Sequence, residues 1–244
     1  MRMREYTGKK PYDDMKQMKR TKIISEFETP VTKETYQAVV IGVSAGGLAA
    51  LSTLFSCLPE RFSLPVMVVQ HVRTTVNRQI FAHFNKTCAL VVKEAEDKEE
   101  IQPGYVYFAP PDYHLLVERK KTFALSIDAR VNYSRPSIDV LFETAAAAFT
   151  SGLIGILLTG ASSDGALGMR LIRETGGLTI AQAPATAEYP VMPQSAIDAH
   201  AVDYILSLQD IGNFFRTLPK RGSQENQKKI YNKTYQIAPL KGWQ

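Results

Sequence analysis

The chain of 244 residues contains only two cysteines, Cys57 and Cys88, and one tryptophan. Two cysteines supply neither the cross-links of a disulfide-stapled secreted domain nor the ligand set of a structural zinc site, so a reducing compartment and no metal are expected. Apolar runs are short: none approaches the roughly 18 residues needed to span a bilayer, and the N-terminal MRMREYTGKK lacks the apolar stretch of a signal peptide. These absences lead us to expect a soluble, cytoplasmic protein without stable membrane insertion.

A charge field of one sign is also missing. The formal net charge is +5, yet residues 1–35 hold nine Lys/Arg against six Asp/Glu and residues 216–244 hold seven against one, leaving −4 over residues 36–215. Basicity confined to the ends argues against nucleic acid as a partner. Three segments are expected: an N-terminal tail over 1–35, a folded domain over 36–218 and a basic C-terminal tail over 219–244.

Within the domain, short apolar runs alternate with helix-like stretches. Ala38–Val43 reads as a strand and Leu48–Cys57 as a helix, followed by a strand over Leu64–Gln70, a helix over Asn77–Asn85 and a strand over Ala89–Val92. After a middle section, Ser137–Thr150 reads as a helix with Ser137 as its cap. The alternation then continues with a strand over Leu153–Leu158, a helix over Ala166–Thr175 and a strand over Leu178–Ala181, and ends with a helix over Gln194–Ala199, a strand over Tyr204–Leu206 and a helix over Gln209–Leu218. The order implies an α/β fold: a doubly wound, mainly parallel sheet with helices on both faces. Tyr105–Ala109, Leu115–Val117 and Phe123–Ile127, separated by Pro110-Pro111 and Arg119-Lys120-Lys121, predict an antiparallel excursion over about 104–128.

Gly42-Val43-Ser44-Ala45-Gly46-Gly47 follows the first strand and precedes the first helix, matching the G-x-S-x-G spacing of a nucleophile elbow. Glycines flanking a serine let the backbone turn sharply, so that the hydroxyl projects and the next amides face a developing oxyanion. The same turn differs from a phosphate-binding glycine loop at one position, and the motif by itself leaves both readings open. The next strand ends Val69-Gln70-His71, where a dinucleotide site would want an acid for the ribose; a histidine at that edge suits a hydrolase. His71 standing alone would pass for a packed or surface residue.

A third strand end runs Thr159-Gly160-Ala161-Ser162-Ser163-Asp164-Gly165. Asp164 there suits either a helix cap or an acid presented to Nδ1 of His71. His83, His114 and His200 show no metal-ligand spacing.

Five ordered blocks resemble the chemotaxis protein-glutamate methylesterases: IGVSAGG (41–47), QH (70–71), RPSIDVLF (135–142), LTGASSDGALGM (158–169) and MPQSAI (192–197). The resemblance spans roughly residues 36–210. It implies a CheB-type catalytic domain with a Ser44, His71, Asp164 triad, an oxyanion site from the main-chain amides of Ala45 and Ala161, and no metal or organic cofactor. It further implies hydrolysis of γ-glutamyl methyl esters on methylated chemoreceptors, with methanol released, and deamidation of receptor glutamines in some members. Ser44-Ala45-Gly46-Gly47 departs from the family's usual S-T-G-G at Ala45, and Thr159-Gly160-Ala161-Ser162-Ser163-Asp164-Gly165 from its usual TGMGxDG at Ala161 and Ser162, which bears on substrate positioning more than on chemistry. Only about 35 residues precede the domain, too few for the receiver domain common in the family, so phosphorylation-gated control by that route is not expected. An esterase or amidase with a substrate outside chemotaxis, and a non-catalytic receptor-binding module, are the other readings of the same residues.

Overall fold

A computed structural model describes residues 36–71 and 78–218. Both expected tails, and Asn77 at the start of the expected second helix, lie outside the described residues.

Nine strands and six α-helices alternate through them. In chain order these are β1 (Ala38–Val43), α1 (Gly47–Phe55), β2 (Val66–Gln70), α2 (Arg78–Thr87), β3 (Val91–Glu94), β4 (Tyr105–Phe108), β5 (His114–Val117), β6 (Phe123–Ser126), α3 (Ile138–Phe149), β7 (Leu153–Leu157), α4 (Ala166–Glu174), β8 (Leu178–Gln182), α5 (Val191–Asp198), β9 (Tyr204–Leu206) and α6 (Leu208–Thr217). Seven strands form one sheet in the order β3-β4-β2-β1-β7-β8-β9, and every neighbouring pair is parallel.

The sheet is buried on both faces because its strands are apolar at successive positions. Val39, Ile41 and Val43 of β1 face a core shared with Leu51, Leu54 and Phe55 of α1 and Ile211 and Phe215 of α6. Ala38 and Val40 face the opposite core, with Leu141 and Phe142 of α3, Ile172 of α4 and Ala196 of α5. Alternating side-chain direction along a strand buried on both faces produces the unbroken apolar run that identified β1 in the sequence.

The antiparallel excursion is smaller than the sequence indicated. Tyr105–Phe108 joins the main sheet, parallel between β2 and β3, and only β5 and β6 form an antiparallel pair. Val106 and Phe108 are buried in the α1-side core, and this burial between two strands, which short local β-prone runs do not reveal, decides the pairing. Helix α5 begins at Val191, three residues earlier than expected, with Pro193 inside its first turn, where a missing amide proton costs nothing.

Helices α3 and α4 approach closely at Gly168, where an added Cβ would lie 2.4 Å from Phe142 Cβ. That atom sits next to backbone and cannot swing aside. Gly168→Ala gains about 1 kcal/mol of helix propensity but should still lower stability, by about 1–3 kcal/mol through overpacking. Urea unfolding tests this, expecting a lower midpoint with an unchanged denaturant dependence; a raised midpoint would refute the close approach.

Candidate active site

Three of the sequence-derived positions meet at the carboxyl edge of the sheet. Val43 and Gln70 are register partners on β1 and β2, and the amide of His71 donates to the carbonyl of Val43 at 3.0 Å. Ser44 and His71 therefore leave neighbouring strands at the same level. On the other side of β1, the Leu158 amide donates to the carbonyl of Gly42 at 2.9 Å, and the Ser44 amide donates to the carbonyl of Thr159 at 3.0 Å. The turn carrying Ser44 is thus clamped between the strand ends that lead to His71 and to Asp164.

Glycine is required in this turn. Gly46 has φ of 75°, in the left-handed region, and an added Cβ would lie 2.8 Å from Oε2 of Glu188 and 3.1 Å from Oγ1 of Thr159. An added Cβ on Gly160 would lie 2.9 Å from the Cβ of Ser44. Thr159 ties the loops together: its hydroxyl donates to the carbonyl of Ala45 at 3.0 Å and accepts from the amide of Tyr189 at 2.9 Å, while its own amide donates to Oε1 of Gln182 at 2.9 Å. Gln70 lies below the turn, its Nε2 donating to the carbonyls of Ser44 at 2.9 Å and His71 at 3.1 Å.

His71 and Asp164 are in direct contact, Nε2 to Oδ2 at 2.8 Å, with the histidine side chain 13% exposed and the aspartate fully buried. The expectation of an Nδ1 contact is corrected: the distal nitrogen reaches the acid, because Asp164 is anchored at the start of α3 and not on its own helix. Oδ1 of Asp164 accepts from Asn132 Nδ2 at 2.9 Å, the Ser137 hydroxyl at 2.9 Å and the Asp139 amide at 3.1 Å; Oδ2 also accepts from the Ile138 amide at 2.7 Å. Ser137, expected as a side-chain cap of α3, spends its hydroxyl on Asp164. Asp164 itself satisfies the first amides of α3.

Asp139 does the converse for α4, its Oδ1 accepting from the amides of Gly165 at 3.0 Å and Gly168 at 2.7 Å. Burial pushes the Asp139 carboxyl up and the neighbouring Asp164 charge adds to this, so that it stays above the usual carboxylate range despite its donors. Burial also pushes Asp164 up, but the hydrogen bonds from His71, Asn132, Ile138 and Asp139 outweigh it and hold the carboxyl below that range. An ionised Asp164 places the imidazole proton on Nε2 and leaves the lone pair of Nδ1 available as a base.

Among the described residues, the Ser44 hydroxyl and the amides of Ala45 and Ala161 have no hydrogen-bond partner. Also among the described residues, no His/Cys/Asp/Glu cluster could hold a metal, and no helix is long and apolar enough to cross a membrane. A hollow of about 500 Å³ bounded by Lys98, Glu118, Arg119, Lys120 and Thr122 shares no residue with this edge. Sequence reasoning missed Asn132, Asp139 and Glu188. Only the left-handed tolerance of asparagine in Asn132-Tyr133-Ser134, ahead of the RPSID block, hinted at the first.

Comparison with known proteins supplies a family. The model described as CheB methylesterase matches residues 39–215. A Leptospira interrogans protein named for protein-glutamate methylesterase and protein-glutamine glutaminase activities is 52% identical over 190 residues, covering 78% of this chain and 98% of the relative. The Thermotoga maritima protein-glutamate methylesterase/protein-glutamine glutaminase is 37% identical over 171 residues, covering 69% of this chain and 50% of the relative. This chain thus spans about half the length of that relative and of the similarly named Maricaulis maris protein. The crystal structure of the Thermotoga maritima CheB methylesterase catalytic domain superposes with a TM-score of 0.72 at 35% identity, covering 76% of this chain and 100% of that one.

The two acids carry opposite pH signatures. A carboxyl held below the roughly 3.9 of an unfolded aspartate contributes stability above that value and loses it as pH falls through the folded value. Asp139, held high, opposes folding once pH rises above its raised value. Asp164→Asn should therefore flatten the loss of stability below about pH 4. Urea unfolding followed from about pH 6 to about pH 2.5 measures it, and an acid slope equal to that of the parent protein would contradict the assignment.

Proposed function

We infer the activity from a plain premise: the chain belongs to the CheB methylesterase family. We propose that it hydrolyses γ-glutamyl methyl esters on a methylated chemoreceptor, giving glutamate and methanol, and that it deamidates receptor glutamines to glutamate. Relatives in Leptospira interrogans, Maricaulis maris and Thermotoga maritima are named for both reactions, which support this substrate class. The observation that carries the reading is the 2.8 Å bond from His71 Nε2 to buried Asp164, made at the strand end beside the Ser44 turn.

In the proposed mechanism Ser44 is the nucleophile. Nδ1 of His71 takes the hydroxyl proton as the oxygen attacks the ester carbonyl, and Asp164 stabilises the imidazolium. The main-chain amides of Ala45 and Ala161 face the oxyanion, in keeping with their lack of other acceptors among the described residues. Collapse of the tetrahedral intermediate transfers the proton from His71 to the leaving methoxide, so methanol departs and an acyl-enzyme remains. Water, deprotonated by the same nitrogen, then releases glutamate and restores Ser44. Glutamine enters the same cycle with ammonia leaving in place of methanol.

Replacing Ser44 or His71 with Ala should lower kcat by about 10⁴-fold or more while leaving the fold intact. Methanol release from methylated receptor fragments measures this, alongside labelling of the serine by a fluorophosphonate probe. Near-normal turnover by Ser44→Ala would sink the mechanism. A folded wild-type protein that neither labels nor releases methanol would instead favour a binding module.

A further inference from the structure

Asn132 lies 32 residues from Asp164 in sequence, and its side-chain amide nitrogen donates one proton to each of two carboxylates: Oδ2 of Asp139 at 2.7 Å and Oδ1 of Asp164 at 2.9 Å. We propose that Asn132 is a positioning residue of the esterase, a neutral wedge that donates to both acids and fixes the Asp164 carboxylate against His71. The proposal rests on the triad reading above.

The surroundings favour this role over that of a simple turn residue. Asn132 and Tyr133 both take left-handed backbone angles, φ of 51° and 61°. The turn is closed by paired amide-to-carbonyl bonds between Val131 and Ser134, at 3.2 and 2.9 Å. Tyr133, 96% exposed, holds a conformation that an aromatic residue rarely adopts, and only a well-supported turn sustains it. Asn132 is itself exposed, and the end of that turn that reaches the two buried acids is its side-chain amide. Asp139 and Asp164 are fully or almost fully buried and exchange helix N-termini, so the two like charges are held close together by the main chain of α3 and α4. Among the described residues, Asn132 is the one side chain that donates to both.

Chemistry dictates the residue type. An amide nitrogen offers two protons and no charge, so each carboxylate receives a donor without a counter-ion that would draw negative charge away from the imidazolium. Aspartate has nearly the same shape and tolerates the left-handed region as well as asparagine does, but it would place a third acceptor against two carboxylates. Glycine keeps the backbone conformation and removes the amide.

These two substitutions separate electrostatics from shape. Asn132→Gly should lower kcat roughly tenfold with KM unchanged, and should move the acid-side midpoint of kcat/KM to higher pH, because Asp164 with one donor fewer attracts the imidazole proton more strongly. Asn132→Asp should lower kcat further, on the order of a hundredfold at about pH 8, although it is the closer match in size. Methanol release across pH gives both parameters, urea unfolding confirms that each variant is folded, and fluorophosphonate labelling of the wild type and Ser44→Ala checks the nucleophile independently. Asn132→Asp turning over like the wild type would overturn the proposal. If that variant does not fold, an Asn132→Gly protein with normal kcat and an unmoved pH profile does so. Loss of wild-type labelling would strike the triad reading, and this proposal with it.

Discussion

A fully buried carboxylate, Asp164, is the constraint on which the rest of this structure depends. A charge without water is tolerable only if donors surround it, and five hydrogen bonds converge on its two oxygens. Two of them come from the first amides of α3, which otherwise lack intrahelical partners. The acid and the helix solve each other's problem, since the helix end needs an acceptor and favours negative charge. Asp139 makes the reciprocal arrangement with the start of α4. The exchange locks α3 to α4 at their N-termini, where Gly165, with φ of 99°, lets the chain turn into α4.

The sheet supplies the second half of the geometry. Parallel strands bring successive carboxyl ends to one edge, so the order β2-β1-β7 in space places the residues after Gln70, Val43 and Leu157 side by side despite their separation in sequence. Fine positioning comes from bonds between side chain and main chain, in which Thr159 links the Ala45 carbonyl, the Gln182 side chain and the Tyr189 amide. Loops tied in this way hold the groups they carry with less rearrangement than loops held by exposed side chains.

Much of this was legible in the residues and some was not, for physical reasons. β1 matched its expected bounds because a strand buried on both faces has a continuous apolar signature ending in a glycine turn. β4 was assigned to the wrong sheet because its partners, β2 and β3, lie elsewhere in sequence, and local alternation says nothing about which strand will pair with it. For Asp164, cap and catalytic acid seemed to compete as readings, yet the carboxylate caps α3 while bonding His71, and neither fact excludes the other. Asn132 escaped because its importance lies in two acceptors that come together only when α3 and α4 dock.

That same docking explains why the acid loop can depart from its family's usual wording. None of the five donors to the Asp164 carboxylate is contributed by Ala161, Ser162 or Ser163: they come from His71, Asn132 and the start of α3. The Ser162 hydroxyl accepts from the Asp164 amide at 3.4 Å and donates to Sδ of Met192 at 3.9 Å, touching neither carboxylate oxygen. Side chains in that loop are therefore free to vary without releasing the acid, while changes at Asn132, Ser137 or Asp139, remote in sequence, act on it directly. The orientation of His71 follows from the same fact. An acid fixed by α3 meets the imidazole at Nε2, which leaves Nδ1 as the nitrogen not engaged with the acid.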